Sequence, residues 1–379
     1  MFSREIFQIR MNNIKFFIAS NCIFLLLVVC ACNQKEAQVV QLPNTKNICK
    51  YSKWLQIYEG VNSIQINIIH PDHPERIYSF SCLKRSSKNS SKNKDYLLVP
   101  CQDIAALSST HIGMLSVLDA ENTICAVSDS KLVYNPAVKK ALQSGSILSL
   151  GDSQEISIEA LISSGAKIIV HSAFSGDFPH MEQLKKMGLA CIPNFDWREE
   201  DPLGKAEWLL LFGYLTGKEE QAKKIISEIS LSYNQTLKNV KNQSTEKVVF
   251  GNFIRDYWYA PAGESFNARL IRDAGMNYIY NKTEGTGSVT VSMEKIFMDT
   301  KDVKYWINPG FSSKAEILKA NPKAKSLNCF NNGKIYCYSH DLNKFWELSA
   351  IQPHLVLADL YSIITVSYPR NLNFYKELR

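Results

Sequence analysis

A short pattern occurs twice in this chain, Ser157-Ile158-Glu159-Ala160-Leu161-Ile162 and Ser292-Met293-Glu294-Lys295-Ile296-Phe297, and nine residues after each glutamate an apolar run begins, at Ile168 and at Val303. A serine followed two residues later by an acid is a common helix opening, because hydroxyl and carboxylate both favour the exposed N–H groups of a first turn. One copy constrains little. Two copies at the same offset from a following strand predict two related α/β lobes, each presenting a carboxylate at an equivalent surface position. Such a pair suits a partner that is itself twofold.

The rest of the chain fits that plan. With 379 residues, 45% hydrophobic and 21% charged, two globular domains are expected. Short apolar strands at 123–127, 147–150, 167–171 and 189–193 alternate with helical stretches, the pattern of a mostly parallel sheet buried on both faces. Residues 51–200 therefore read as an N-terminal α/β lobe, whose first strands, near 64–69 and 96–99, flank a polar loop. Residues 201–242 read as connecting helices. Asp201-Pro202 opens the first, with an acidic cap and proline at the first helical position, and it runs to Gly217. From Lys218 to Lys241 there is no proline or glycine, and Ala222, Ile225, Ile226, Ile229, Tyr233 and Leu237 fall at helical spacing. That predicts a rod of roughly 36 Å, long enough to cross between lobes, although a packed surface helix fits the same spacing. Residues 243–379 read as a C-terminal α/β lobe with strands at 247–251, 303–307 and 334–338 and an apolar closing helix from Gln352. The expected fold class is α/β: two doubly wound lobes with mostly parallel sheets, joined by one long interlobe helix.

Residues 1–32 have the layout of a signal peptide, with Arg4, Arg10 and Lys15 before an apolar run that ends at Val29-Cys30-Ala31-Cys32. The run is short for a bilayer span, and a cysteine after a small residue resembles a bacterial lipobox, so Cys32 is the expected lipidation site and mature N-terminus. Cys30 is unusual at its position, which leaves a plain transmembrane anchor as the alternative, and Met11 is an alternative start. Residues 33–50 read as a tether to a membrane, facing the periplasm or the cell exterior. Removing residues 1–31 leaves 40 basic against 35 acidic residues, a modest net charge of +5. The densest basic stretch, Lys84-Arg85 with Lys88, Lys92 and Lys94, has no aromatic residues to stack bases and reads as a solvated loop, so no nucleic-acid partner is expected. Seven cysteines remain besides Cys32, with no CxxC pair; Cys329 and Cys337 form the one close pair suited to a small disulfide.

Three stretches carry a wider resemblance: Asp196-Trp197-Arg198-Glu199-Glu200-Asp201-Pro202-Leu203-Gly204-Lys205-Ala206-Glu207-Trp208; Trp258-Tyr259-Ala260-Pro261-Ala262-Gly263-Glu264-Ser265-Phe266 leading to Asp273-Ala274-Gly275; and Phe345-Trp346-Glu347 before the last helix. Together they resemble the substrate-binding lipoproteins of ABC importers for iron–siderophores, haem and cobalamin. The resemblance implies two α/β lobes joined by one long helix and a monomeric, non-enzymatic protein without a cofactor. It would capture an iron chelate or corrinoid and deliver it to an ABC permease dimer with its ATPase subunits. It also implies that a glutamate on each lobe docks into arginine pockets of the permease, and Glu159 and Glu294 lie in the matching motifs. Losing one partner of such a desolvated contact costs about 2–5 kcal/mol.

In open α/β sheets ligands bind beyond the C-terminal ends of the strands. The loops there supply Tyr134, Phe174, Trp197 and Arg198 from the first lobe, and Arg255, Tyr257, Trp258, Phe345 and Trp346 from the second. Aromatic rings with guanidinium groups suit a large, flat or partly anionic ligand. Trp197, Tyr257 and Trp258 are the leading expected contacts, with Arg255 as polar partner, whereas Trp208 and Trp306 are assigned to packing. His171 and His340 each follow a strand, one per lobe, and a metal or chelate edge is the sharper reading of a pair more ordinarily satisfied in loops. Capture of a bare Zn or Mn ion would need three or four converging ligands, more than these two supply. A chelatase of similar architecture is the enzymatic alternative; export argues against it, and no Ser-His-Asp or glycine-rich phosphate motif offers other chemistry.

Overall fold

The computed structural model describes residues 42, 45–85, 96–151, 156–174, 178–240, 244–338, 344–366 and 371–378. The leader with Cys32, most of the tether, Lys88, Lys92, Lys94 and His340 lie outside these residues. Among the described residues no helix is long and apolar enough to cross a membrane.

The N-terminal lobe begins with a sheet in the order β1 (Leu55–Glu59), β2 (Ser63–His70), β3 (His73–Lys84), β4 (Leu97–Val99), the first three antiparallel. Along β2 the pleat sends Ile64, Ile66 and Ile68 into the core and Gln65 and Asn67 to the other face. Those buried amides are satisfied across the strands, by Ser81 Oγ to Gln65 Oε1 (2.7 Å) and Ser79 Oγ to Asn67 Oδ1 (2.9 Å). This antiparallel layer precedes the βα repeats that form the parallel part of the lobe. The doubly wound sheet follows: β5 (Ile104–Ala106), β6 (Ile124–Val127), β7 (Leu148–Ser149), β8 (Ile168–Ser172) and β9 (Ala190–Asn194), all parallel in the order β7-β6-β5-β8-β9. The winding reverses between β5 and β8, and the crevice at such a reversal is where ligands sit.

The C-terminal lobe repeats the plan with β10 (Lys247–Phe250), β11 (Asn252–Ile254), β12 (Tyr257–Pro261), β13 (Asn277–Tyr278), β14 (Ser288–Ser292), β15 (Val303–Ile307), β16 (Lys334–Tyr338) and β17 (Tyr375–Leu378). Its main sheet runs β13-β10-β15-β16-β17, parallel except for the edge strand β17, while β11, β12 and β14 form a separate antiparallel sheet. The repeated sequence pattern has a repeated structure. Helix Ile158–Ser163, capped by Ser157, leads into β8 between β5 and β9; helix Met293–Asp299, capped by Ser292, leads into β15 between β10 and β16.

Between the lobes the chain forms helices Pro202–Glu207 and Leu209–Thr216, stops at Gly217, whose φ of 71° suits a glycine past a helix end, and continues as one 21-residue helix, Glu219–Asn239. Near its start Lys223 Nζ meets Glu59 of the N-terminal lobe at 2.8 Å; farther along, the Tyr233 hydroxyl donates to Asp273 of the C-terminal lobe at 2.7 Å. Its apolar stripe of Ala222, Ile226, Ile229 and Tyr233 is buried, so this helix is a spine coupled to both lobes. Through it and the preceding helices, buried apolar residues of both lobes form one continuous cluster.

Candidate functional site

The segment Asp196–Trp208 does structural work at the junction. Glu199, fully buried, accepts from Lys53 N (3.0 Å) and Trp208 Nε1 (2.9 Å) and is also bonded by the Ser52 hydroxyl. Glu207 accepts from the backbone N–H groups of Lys50, Tyr51 and Ser52 at 2.7–2.8 Å. The two carboxylates bolt residues 50–54 onto the connecting helices. With Asn47 Oδ1 accepting from Ile57 N at 2.9 Å, the last residues of the expected 33–50 tether are part of the fold.

A cavity of about 470 Å³ lies between the lobes. Its N-terminal wall comes from the segments after β5 (Ser108 to Thr110), after β8 (Ser172, Phe174) and after β9 (Asp196, Trp197), with Leu132 and Tyr134; its C-terminal wall carries Phe266, Asn267, Tyr338, Phe345 and Trp346. Aromatic rings therefore face it from both sides. Phe174 lies 4.9 Å from Trp197, and Tyr338 stacks on Phe345 at 3.4 Å and 24°. Among the described lining residues two are charged, Asp196 and Lys205. Lys205 Nζ stands 3.9 Å from Asp196 Oδ2 and 3.9 Å from the centre of the Phe266 ring. Burial pushes the Lys205 ammonium below its usual value and the Asp196 carboxyl above it, each opposed by the other's charge. Asp196 Oδ2 and Trp197 Nε1 are buried without a hydrogen-bond partner.

The lobes also touch beside the cavity. Helix Lys344–Leu348 packs on helix Ser109–Val117 at Gly113, where a Cβ would overlap the Glu347 carbonyl, and Glu347 Oε1 accepts from Tyr134 N (2.7 Å) and Asn135 N (2.8 Å).

Of the residues expected at a ligand, Tyr134, Phe174, Trp197, Phe345 and Trp346 line this cavity. Four do not. Trp258 is fully buried, 4.8 Å from Phe253 and 5.2 Å from Trp306, and donates to Phe250 O, so it belongs to the lobe's core. Arg255 and Tyr257 sit exposed at the turn end of the β11–β12 hairpin, whose pairing draws them into a separate antiparallel sheet, and neither lines the cavity. Arg198 is held bidentately by Asp72 at 2.6 and 2.8 Å and donates to Thr286, which leaves the cavity without a guanidinium among its described residues. His171 is buried with its ring 5.0 Å from Phe178 and does not line the cavity; His340 lies outside the described residues. No three His, Cys, Asp or Glu side chains converge as a metal site among the described residues. Cys329 and Cys337 are both buried and are not joined in a disulfide, and burial pushes the Cys329 thiol up to about 12. Trp208 and Trp306 are fully buried, as packing required.

Asp196, Lys205 and Phe266 were legible only as parts of longer motifs. A helix-internal lysine between glycine and alanine reads as solvated until tertiary contacts bury it. Glu159 and Glu294 are both exposed, each in the first turn of its helix.

The family described as periplasmic binding protein matches residues 104–342. The chain is similar to an uncharacterized lipoprotein of Methanocaldococcus jannaschii, 24% identical over 90% of this chain and 91% of that one. Among solved structures it resembles a periplasmic haem binding protein from Pseudomonas aeruginosa, with TM-score 0.56 and 13% identity over 73% of this chain and 98% of the other. A petrobactin-binding protein from Bacillus subtilis gives TM-score 0.53 and 16% identity over 79% and 98%. Those identities concern the fold. With two α/β lobes, a helical spine and a cavity between them, and with the family match covering more than half its length, the chain belongs to the periplasmic binding protein family.

Proposed function

We propose that the protein is the non-enzymatic, lipid-anchored substrate-binding component of an ABC importer, capturing an iron chelate or a corrinoid between its lobes and delivering it to a membrane permease. The observation that carries this reading is the interlobe cavity with aromatic rings from both walls, a lining suited to a bulky apolar or flat guest. The haem and petrobactin binders of similar fold support the choice of ligand class. Glu159 and Glu294, exposed ahead of equivalent strands in the two lobes, are the docking points this reading assigns to the permease. Capture of a bare Zn or Mn ion has no ligand set among the described residues to support it.

Trp197 and Trp346 line the cavity and report on occupancy. Titrating intrinsic fluorescence with a ferric siderophore, haemin and cyanocobalamin is expected to give saturable quenching with at least one of them. Silence toward all three overturns the reading.

A further inference from the structure

The cavity's described lining combines one acid, one ammonium and otherwise uncharged side chains, among them Ser108, Ser172, Asn267 and Ser349. Its formal charge is therefore zero. The two arginines that would have suited an anionic chelate are elsewhere, Arg198 on Asp72 and Arg255 on an exposed hairpin. What remains at the N-terminal wall is a compact polar group: Asp196 Oδ2, a buried acceptor without a hydrogen-bond partner; Trp197 Nε1, a buried donor without a hydrogen-bond partner; and Lys205 Nζ, ion-paired with Asp196 Oδ2 at 3.9 Å but beyond hydrogen-bond distance. The side chains of Asp196 and Lys205 are 5% and 14% exposed.

We propose that Asp196, Trp197 and Lys205 form an electroneutral recognition point that takes the carboxamide-type edge of an uncharged ligand and turns away a carboxylate at the same position. The proposal rests on the reading of the cleft as a chelate or corrinoid site and names which member of that class it selects. A primary carboxamide presents a carbonyl oxygen and the N–H cis to it on one edge, so it complements the ammonium or indole donor and the carboxylate acceptor together. A carboxylate accepts from the donors but brings a second negative charge against Asp196, in a setting where water screens it poorly. An added cation meets the converse problem at Lys205.

Two pairs of probes test this: cyanocobalamin against its monocarboxylate, made by hydrolysing one side-chain amide, which exchanges a primary carboxamide for a carboxylate in place, and ferrioxamine B acetylated on its free amine against the same molecule succinylated, which adds a negative charge alone. Calorimetry with the wild-type protein is expected to favour the uncharged member of the pair that binds by at least about tenfold. Asp196→Asn leaves the ammonium uncompensated and is expected to shrink or reverse that preference, while Lys205→Met leaves the carboxylate uncompensated and widens it. A purely structural role weakens both members equally in both variants, and that outcome overturns the proposal. Equal affinity of the wild type for both members, or tight binding of dianionic haemin with neglect of both pairs, overturns it too while leaving the cleft a chelate site. Failure of every probe to bind overturns the proposal together with the function it rests on. The wild-type comparison decides even where a variant does not fold.

Discussion

Glu347, on the C-terminal lobe, accepts the backbone N–H of Tyr134, on the N-terminal lobe, at 2.7 Å, so one carboxylate joins the two walls of the cavity. The same oxygen takes Asn135 N at 2.8 Å, and close packing on Gly113 holds its helix against the opposite lobe. Hydrogen bonds to a charged acceptor contribute about 1.5–3 kcal/mol. Glu347→Ala is expected to speed ligand release several-fold or more while leaving the far-ultraviolet circular dichroism unchanged, read by stopped-flow dissociation. Gly113→Ala, which forces a Cβ into the Glu347 carbonyl, is expected to act in the same direction. An unchanged release rate in both variants removes the clasp from the mechanism.

The two tryptophans Trp258 and Trp346 should separate stability from binding. Trp258 is fully enclosed by Phe253 and Trp306, and its replacement by alanine is expected to lower unfolding free energy by about 3–5 kcal/mol. Trp346 is 50% exposed at the cavity edge, so Trp346→Ala should change stability by about 1 kcal/mol or less yet weaken ligand binding markedly. Urea melts and ligand titrations of both variants check the contrast.

Glu199 makes stability depend on pH. Burial raises its carboxyl from 4.5 to about 7, against the hydrogen bonds from Lys53, Ser52, Trp208 and Trp54 that favour ionisation. The folded protein thus holds a proton there that the unfolded chain releases. This contribution is fully present below about pH 4.5 and is lost as pH rises through 7, an effect of roughly 3 kcal/mol for that one group. Urea midpoints should fall between pH 5 and pH 8 in the wild type, and Glu199→Gln should flatten the decline. A slope that survives the substitution assigns it to other groups.

Charge reversal at Glu159 and Glu294 together should leave ligand affinity as it is, since both are exposed and neither lines the cavity. Uptake by the reconstituted importer, measured with the ligand found by fluorescence, should be abolished. Weakened ligand binding with normal uptake contradicts the docking role.

The sequence by itself determined the α/β class, the repeated serine–acid helix opening ahead of β8 and β15, and the spine helix, because each depends on contacts among near neighbours: caps, apolar periodicity and the absence of proline and glycine. It did not disclose β5, three residues of which two are alanine, although that strand is the centre of its sheet. It placed aromatic residues near strand ends but could not sort them. Trp258 and Trp346 both lie in aromatic-rich stretches that read as loops in the sequence, and only the sheet pairing of β12 with β11 and β14 turned the first into the core. Charge partners were the least legible part. Arg198 meets Asp72, Lys205 meets Asp196, and Glu347 meets Tyr134 across distances in the chain that no local pattern encodes. Electrostatic pairing follows proximity in space, which the folding of the N-terminal lobe and its junction creates for the first two pairs and only the packing of the two lobes creates for the third.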